Sequence, residues 1–201
     1  MAKRAFDLFF AIIGLLILSP FLVVVAMAVR LSSPGPALFR SRRVGRFGKE
    51  FFLLKFRTMT KDAPQNGPAI TIGKDHRITR LGAILRRTKI DELPQLLNVI
   101  KGEMSLVGPR PEVPEYVMLY TPAQRAVLNL VPGITDPASI KYAQENDLLG
   151  TSSSPELDYV KQIMPDKIRL NLGYAALANL RTDFRLVLST FGRIATKREP
   201  Q

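Results

Sequence analysis

The sequence contains no cysteine and a single histidine, His76. Without cysteine there is no disulfide framework, no thiolate metal site and no cysteine nucleophile. One histidine cannot build a multi-histidine zinc site, and it argues against a Ser-His-Asp triad. If the protein is an enzyme, its chemistry must therefore rely on carboxylates, lysines and arginines.

Acidic residues are also scarce. The 201 residues carry 17 Asp and Glu against 29 Lys and Arg, which gives a formal net charge of +12. Such a charge favours anionic partners: nucleic acid, a phospholipid surface or phosphorylated substrates. The length allows one ordinary domain with an appendage.

One long apolar run lies near the N-terminus. From Leu8 to Val29 the chain has 22 residues without a charge. A straight helix of this length spans roughly 33 Å, which matches a bilayer core of about 30 Å. A secretory signal peptide fits poorly, because no small-residue cleavage site follows the run.

Pro20 and the basic residues on both sides of the run argue against an ordinary single-pass helix. Basic residues flank the run on both sides, so the positive-inside tendency gives no clear orientation. Pro20 favours a break or kink, and the Ser19 hydroxyl can satisfy the backbone group that proline leaves free. The residues alone leave two interpretations open: a kinked single-pass helix, and a re-entrant helix-break-helix with both ends on the cytoplasmic side.

The remaining sequence predicts an α/β fold that is predominantly helical. "ALFRSRRVGRFGKEFFLLKFRTM" indicates a β-hairpin that turns at "GRFGKE". The polar stretch 61–75 predicts a loop. A helix follows in "RITRLGAILRRT", with four apolar residues on one face: Ile78, Leu81, Ile84 and Leu85.

Further helices are expected toward the C-terminus. "TKIDELPQLLNVIKGE" predicts a helix with Thr88 or Asp91 as N-cap and Gly102 as its stop. Two short helices divided at Pro122 come next. From about residue 155 to 194, apolar and basic residues alternate at helical spacing. This C-terminal part is predicted either to lie on a membrane surface or to form core.

The adjacent carboxylates Asp91 and Glu92 are the strongest candidates for chemistry. Acidic residues are common at helix starts, so the pair alone is weak evidence. Cations from three motifs strengthen the case. Four lie just upstream in "RITRLGAILRRT", "KFRTM" adds two and "GPRPE" adds one: Arg77, Arg80, Arg86, Arg87, Lys55, Arg57 and Arg110. Together these residues suit a phosphorylated substrate, and a Mg²⁺ ion could bridge carboxylate and phosphate oxygens.

Arg110 lies in the unusual motif "GPRPE". Pro109 and Pro111 restrict the backbone on either side of it, which orders the arginine at low entropic cost. Binding of an anionic group and a rigid surface loop are both compatible with this pattern.

These motifs together resemble a known family. "KRAFDLFFA", "RVGRFGKEFFLLKFRTM", "RITRLGAILRRTKIDELPQLLNVIKGEMSLVGPRPE" and "LVPGIT" closely resemble the bacterial sugar transferases, the monotopic phosphoglycosyl transferases. The resemblance extends from Lys3 to about Thr135. It implies an enzyme at the cytoplasmic face of the bacterial inner membrane. Such enzymes transfer a sugar-1-phosphate from a UDP-sugar to undecaprenyl phosphate, release UMP and start a glycan for downstream glycosyltransferases.

The resemblance also implies roles for single residues. Asp91 would be the nucleophile and would contact Mg²⁺, and Glu92 would assist as an acid/base or positioning group. Lys55, Arg86 and Arg110 would bind phosphate and nucleotide. Ser19 and Pro20 would form the break of a re-entrant membrane anchor over residues 1–32, with the catalytic domain at 33–201, surrounded by amphipathic interfacial helices.

The segment after Thr135 departs from the family pattern. It begins with Asp136 and Pro137 where the family commonly has glycine, so sugar identity cannot be transferred by analogy. A different class also stays open: a non-catalytic, membrane-tethered basic module that binds anionic lipid or nucleic acid. That alternative does not require Asp91 and Glu92, and the resemblance implies no nucleic-acid partner.

Overall fold

The computed structural model describes residues 2–60, 72 and 75–196. Most of the predicted loop at 61–75 lies outside these residues. The first half contains α1 (Ala2–Ser32), β1 (Leu38–Val44), β2 (Glu50–Phe56), α2 (Arg80–Arg87), α3 (Gln95–Lys101), β3 (Ser105–Val107) and α4 (Pro114–Val117). The second half contains β4 (Gly133–Thr135), α5 (Pro137–Lys141), α6 (Glu145–Gly150), α7 (Pro155–Asp158), α8 (Met164–Leu177) and α9 (Leu180–Thr196).

Helix α1 contains the apolar run and continues through Pro20. Proline has no N–H to donate to the carbonyl four residues earlier, which belongs to Leu16. The Ser19 hydroxyl donates to this carbonyl at 3.0 Å, in the compensating role that the sequence predicted. The predicted break at Ser19 and Pro20 therefore does not end the helix, and the re-entrant path through a membrane stays a prediction.

The start of α1 is attached to the body of the protein by polar contacts. Arg4 donates to the carbonyls of Val99 and Ile100 at the end of α3, at 2.6 and 3.0 Å. The buried Asp7 accepts from the Leu106 backbone N–H at 3.1 Å. These contacts satisfy backbone groups that helix and strand ends would otherwise leave open.

The end of α1 is attached in a similar way. The buried Arg57, which follows β2, donates to the carbonyls of Val29, Ser33 and Pro34 at 3.1, 2.6 and 2.9 Å. Between the two attachment points, Leu16 and Ile17 are about 70% exposed (69% and 72%). Within the described part of the chain, only α1 is long and apolar enough to cross a membrane.

The predicted β-hairpin is confirmed. Strands β1 and β2 pair antiparallel, from Leu38 opposite Phe56 to Val44 opposite Glu50. Lys55 and Arg43 point to the same face of the hairpin. Lys55 lies opposite Phe39, and Arg43 is four residues after Phe39 on β1, where every second side chain shares a face. The hairpin therefore presents two cations to one side.

The helix that follows the dyad starts later than predicted. Thr88 ends α2, and its hydroxyl donates to the carbonyls of Ile84 and Leu85. Pro94 directly precedes α3, so neither Thr88 nor Asp91 is its N-cap. The predicted stop at Gly102 is confirmed by its positive φ of 85°. On α2, Ile84 is 59% exposed and does not share the buried face of Leu85.

A short parallel pair, β3 and β4, was not predicted. Ser105 lies opposite Gly133, and Val107 lies opposite Thr135. Three-residue strands are too short to show an alternating pattern. The two strands nevertheless determine which loops meet at their carboxyl ends.

The core alternative is confirmed for α8, whereas contact of the C-terminal helices with a membrane stays a prediction. On α8, Met164 and Ile168 are buried in the largest apolar cluster, together with residues of α4 and α6. On α9, Leu180, Phe184 and Leu188 are exposed. The inner face of α8 is therefore core, and the apolar face of α9 is available to a membrane surface.

Substitutions at two glycines can test how closely α2 packs against Thr58. A Cβ built on Gly82 would lie 2.0 Å from the Thr58 carbonyl oxygen, whereas one on Gly173 in α8 would meet nothing within 4 Å. We expect Gly82→Ala to lower the free energy of unfolding by about 2 kcal/mol or more. Thermal unfolding in detergent measures the change.

Gly173→Ala is the matched control. This exposed helical position should gain roughly 0.5–1 kcal/mol from better helix propensity. Equal midpoints for the two variants would contradict the close contact of α2 with Thr58.

Candidate active site

Asp91 and Glu92 lie in a tight turn between α2 and α3. The turn is a 3₁₀ segment, Ile90–Glu92, and it follows Lys89, whose φ of 59° is left-handed. This conformation reverses the chain after α2 and costs a non-glycine residue about 1 kcal/mol. Asp91 and Glu92 are only 5% and 8% exposed. Strained backbone and buried acids in one turn are typical of functional sites.

Glu92 is held by two cations. Arg110 donates to both of its carboxylate oxygens, at 2.7 and 3.1 Å, and Lys55 donates to one at 3.2 Å. Burial alone would raise the pKa of Glu92, but the charges of Arg110 and Lys55 bring it well below its usual value. Glu92 is therefore a permanent anion that has no tendency to accept a proton at neutral pH.

Asp91 has the opposite environment. Its Oδ1 is buried and has no hydrogen-bond partner among the described residues. Burial, followed by the neighbouring charge of Glu92, raises the pKa of Asp91 above its ordinary value. An unpaired buried carboxylate oxygen is costly, and it is free to form a bond with a ligand.

The predicted cations divide into two groups. Lys55 and Arg110 contact Glu92, and Arg86 lies close by, donating its Nε to Thr58 Oγ1 at 2.8 Å. Burial lowers the pKa of Lys55 to about 8, despite the opposing charge of Glu92. Arg57 instead secures α1, and Arg77 forms an ion pair with Asp75. Arg80 is exposed and does not line the cavity.

The dyad opens into a large cavity of about 1670 Å³. Its walls come from the hairpin, the dyad turn, the "GPRPE" loop and the helices α5, α8 and α9. Its size exceeds the range of about 300–1,000 Å³ that is usual for small-molecule sites. The cavity therefore has room for a nucleotide sugar and for part of a second substrate.

The parallel strands explain how Arg110 reaches Glu92. "GPRPE" follows β3, and Asp136 follows β4, so both loops leave the same edge of the pair. Gly108 N–H donates to the Thr135 carbonyl at 3.0 Å, and Gly133 N–H donates to the Pro109 carbonyl at 3.0 Å. A Cβ on Gly133 would lie 2.1 Å from the Gly108 nitrogen, so the two loops require glycine here. Arg110 is thus a positioned cation that pairs with Glu92 while its side chain stays 35% exposed, and its binding of an anionic ligand stays a prediction.

The sequence analysis missed the residues that support this loop. Glu112, the last residue of "GPRPE", accepts from Arg43 at 3.4 Å and from the Tyr159 hydroxyl. These contacts connect the loop to β1 and to the helical segment that precedes α8. The signal that could have found it was its place in the motif, since Glu112 directly follows the restricted Pro111.

The described residues of the site offer few ligands for a hard divalent cation. Among residues 2–60, 72 and 75–196, no group of three or more His, Cys, Asp or Glu is suited to hold a metal ion. Mg²⁺, however, often binds through one or two carboxylates together with substrate phosphates and water. The unpaired Oδ1 of Asp91 offers such a ligand, so the residues fit Mg²⁺ that arrives with a phosphorylated substrate.

Comparison with known proteins gives a consistent match. The sequence model of a family described as "Bacterial sugar transferase" matches residues 1–197. A UDP-glucose:undecaprenyl-phosphate glucose-1-phosphate transferase of Caulobacter vibrioides is 37% identical over 98% of the chain and 70% of its own length. An exopolysaccharide production protein of Rhizobium leguminosarum bv. phaseoli is 55% identical over 54% of the chain and 54% of its own length.

The name of a third relative states a different sugar. A Bacillus subtilis protein, provisionally named as an undecaprenyl-phosphate N-acetylgalactosaminyl 1-phosphate transferase, is 46% identical over 66% of the chain and 70% of its own length. The chain thus spans about half of the Rhizobium relative and somewhat over two thirds of the other two. Glucose and N-acetylgalactosamine both occur among these names, so the comparison leaves the sugar open.

The two carboxylates should affect stability in opposite directions. Asp91→Asn removes a buried charge that has an unpaired oxygen and a raised pKa, so it should raise the free energy of unfolding at pH 7. Glu92→Gln leaves Arg110 and Lys55 without their anion and should lower it by about 3 kcal/mol. Thermal unfolding at several pH values measures both changes.

The sign of the pH dependence follows from the directions of the pKa shifts. The stabilisation by Glu92 is present above the ordinary pKa of a glutamate and is lost as pH falls through its lowered pKa in the fold. The cost of Asp91 is absent in acid and appears as pH rises through its raised pKa. Variants that destabilise equally at every pH would show that the two environments do not differ.

Proposed function

Because the chain belongs to the bacterial sugar transferase family, we propose that it transfers a sugar-1-phosphate from a UDP-sugar to undecaprenyl phosphate and releases UMP. The observation that carries the proposal is the buried, unpaired Oδ1 of Asp91 beside a Glu92 that is neutralised by Arg110 and Lys55. This arrangement provides one reactive carboxylate and cations for phosphate in the same cavity.

The first step uses Asp91 as a nucleophile. Its carboxylate oxygen attacks the phosphorus that bears the sugar, the bond from that phosphorus to the bridging oxygen breaks, and UMP leaves with the electron pair. The product is an acyl phosphate between Asp91 and the sugar phosphate. Poor solvation of Asp91 favours the attack, because an ionised carboxylate with an unpaired oxygen loses little hydration on reaction.

The second step returns Asp91 to its starting state. A phosphate oxygen of undecaprenyl phosphate attacks the same phosphorus, and the bond to Asp91 breaks with the carboxylate as leaving group. Two separate steps allow a soluble donor and a lipid acceptor to use one site in turn. The product then serves as the acceptor for downstream glycosyltransferases, as the first membrane-bound intermediate of a glycan.

Glu92 acts through charge and position. Because Arg110 and Lys55 hold its pKa well below the usual value, it remains ionised and keeps these cations oriented toward the cavity. Lys55, Arg86 and Arg110 would then bind the diphosphate and neutralise the charge that develops on it. Mg²⁺, which Asp91 would hold together with the diphosphate, would supply further neutralisation of the phosphate oxygens.

The two attachments of α1 support a membrane location close to the acceptor. The helix and the family indicate a membrane protein. Both ends of α1 contact the same body, and its exposed middle is apolar. This pattern supports a re-entrant anchor at the cytoplasmic face of the inner membrane, with the site near the lipid headgroups. The exposed apolar face of α9 would lie at the same surface.

The first test measures UMP release. Purified protein in nanodiscs with Mg²⁺ and undecaprenyl phosphate is given a panel of UDP-sugars. We expect UMP from at least one donor, and a loss of about a thousandfold or more in Asp91→Asn because the nucleophile is removed. If the folded wild type releases no UMP from any donor, the membrane-tethered binding module becomes the better explanation.

The second test uses the pH profile of kcat/KM for the donor, which reports groups of the free enzyme. The rate should rise with pH through the raised pKa of Asp91 and fall as Lys55 loses its proton near its pKa of about 8. In Lys55→Arg the cation persists to higher pH, so the alkaline limb should move upward even if the maximum rate is lower. An alkaline limb that does not move would exclude Lys55 as its origin.

A further inference from the structure

The cavity continues beyond the dyad into a second region, which the predicted residues do not occupy. There it is bordered by α5 and α8, with α9 at the side. Thr135 and Thr190 share a hydrogen bond at 2.5 Å, which joins the end of β4 to α9. The wall in this region combines apolar residues, such as Ala138, Ile168 and Val187, with polar ones, such as Ser139, Glu145 and Lys167.

Asn171 contributes an unpaired polar atom to this wall. It follows Met164 and Ile168 at the spacing of one helical face, and all three are buried. Asn171 is only 4% exposed, it lines the cavity, and its Oδ1 has no hydrogen-bond partner among the described residues. A leucine would fill the position without the cost of an unsatisfied amide oxygen. The asparagine is therefore explained by a partner that enters the cavity.

The position of Asn171 relative to the dyad follows from the fold. Arg110 has a raised pKa, chiefly through the charge of Glu92 and with a smaller contribution from Asp136. Asp136 therefore lies within electrostatic range of the dyad. Asp136 also begins α5, where it accepts from the Ser139 N–H at 3.0 Å, and α5 packs against α8. Through Asp136 and α5, the helix that carries Asn171 is thus connected to the surroundings of Arg110.

We infer that Asn171 determines sugar specificity by accepting a hydrogen bond from the transferred sugar at Oδ1. The inference rests on the proposed function. If Arg110 and Lys55 hold the diphosphate, the sugar is one bond beyond the phosphorus that Asp91 attacks, and the second region of the same cavity would hold it. The ligand is a neutral hexose that presents a hydroxyl or acetamido N–H to the amide oxygen and its C–H face to the apolar residues of the wall.

The experiment compares donors within each variant. Wild type, Asn171→Leu, Asn171→Asp and the control Asn129→Leu are assayed with UDP-glucose, UDP-galactose and their two N-acetylated counterparts. Asn129 is exposed and does not line the cavity. The readouts are the ratios of kcat/KM between donors and the midpoint of thermal unfolding.

Asn171→Leu should lose the preference for the best donor. We expect its kcat/KM advantage over the next donor to fall by about tenfold, as for a lost hydrogen bond to a substrate. The unfolding midpoint should stay equal or rise, because an unsatisfied polar group is removed. Asn171→Asp keeps an acceptor oxygen, so it should keep the order of donors while its charge lowers kcat/KM for all of them.

The other outcomes separate the two proposals. Unchanged donor ratios in Asn171→Leu, with wild type active, overturn the inference and leave the proposed function intact. A lower midpoint with an equal loss for every donor also overturns it, because Asn171 is then structural. Wild type that releases UMP from none of the donors overturns the proposed function and the inference together.

Discussion

The bidentate contact between Arg110 and Glu92 is the interaction on which the rest of the site depends. Two adjacent carboxylates share one buried turn, and two uncompensated charges there would cost several kcal/mol. Arg110, with help from Lys55, compensates one of them. The other, Asp91, remains without a partner. The pair is thereby divided into a paired anion and one with an unpaired oxygen.

Much of the fold serves to place that arginine. The parallel pair β3 and β4 brings "GPRPE" beside the Asp136 turn, and close glycine contacts hold the two loops together. Glu112 connects the loop to Arg43 of the hairpin, whose second strand supplies Lys55. The cations thus come from two elements that share one support. A shift in either element would change the charge balance of both carboxylates.

The hairpin and the helix that ends at Gly102 could be predicted because each rests on a local pattern, and Asp91 and Glu92 could be singled out as candidates in the same way. Alternation shows a strand of seven residues, and two adjacent acids among arginines are visible without a structure. The sequence could not predict β3 and β4, which are three residues long, or the N-cap of α3, which local residues suggested wrongly. Asn171 was also missed, since its meaning depends on burial and on an absent hydrogen bond.

The attachment of α1 at both ends has a consequence for biosynthesis. Helix α1 is synthesised well before the residues that it contacts, because Lys3 forms its ion pair with Asp183, which is 180 residues later in the chain. Arg4 and Asp7 contact residues about 95 to 99 positions away. Contacts of such long range form late, after the intervening chain has been made. Helix α1 is therefore fixed to the body of the protein only after the distant residues that it contacts have been made.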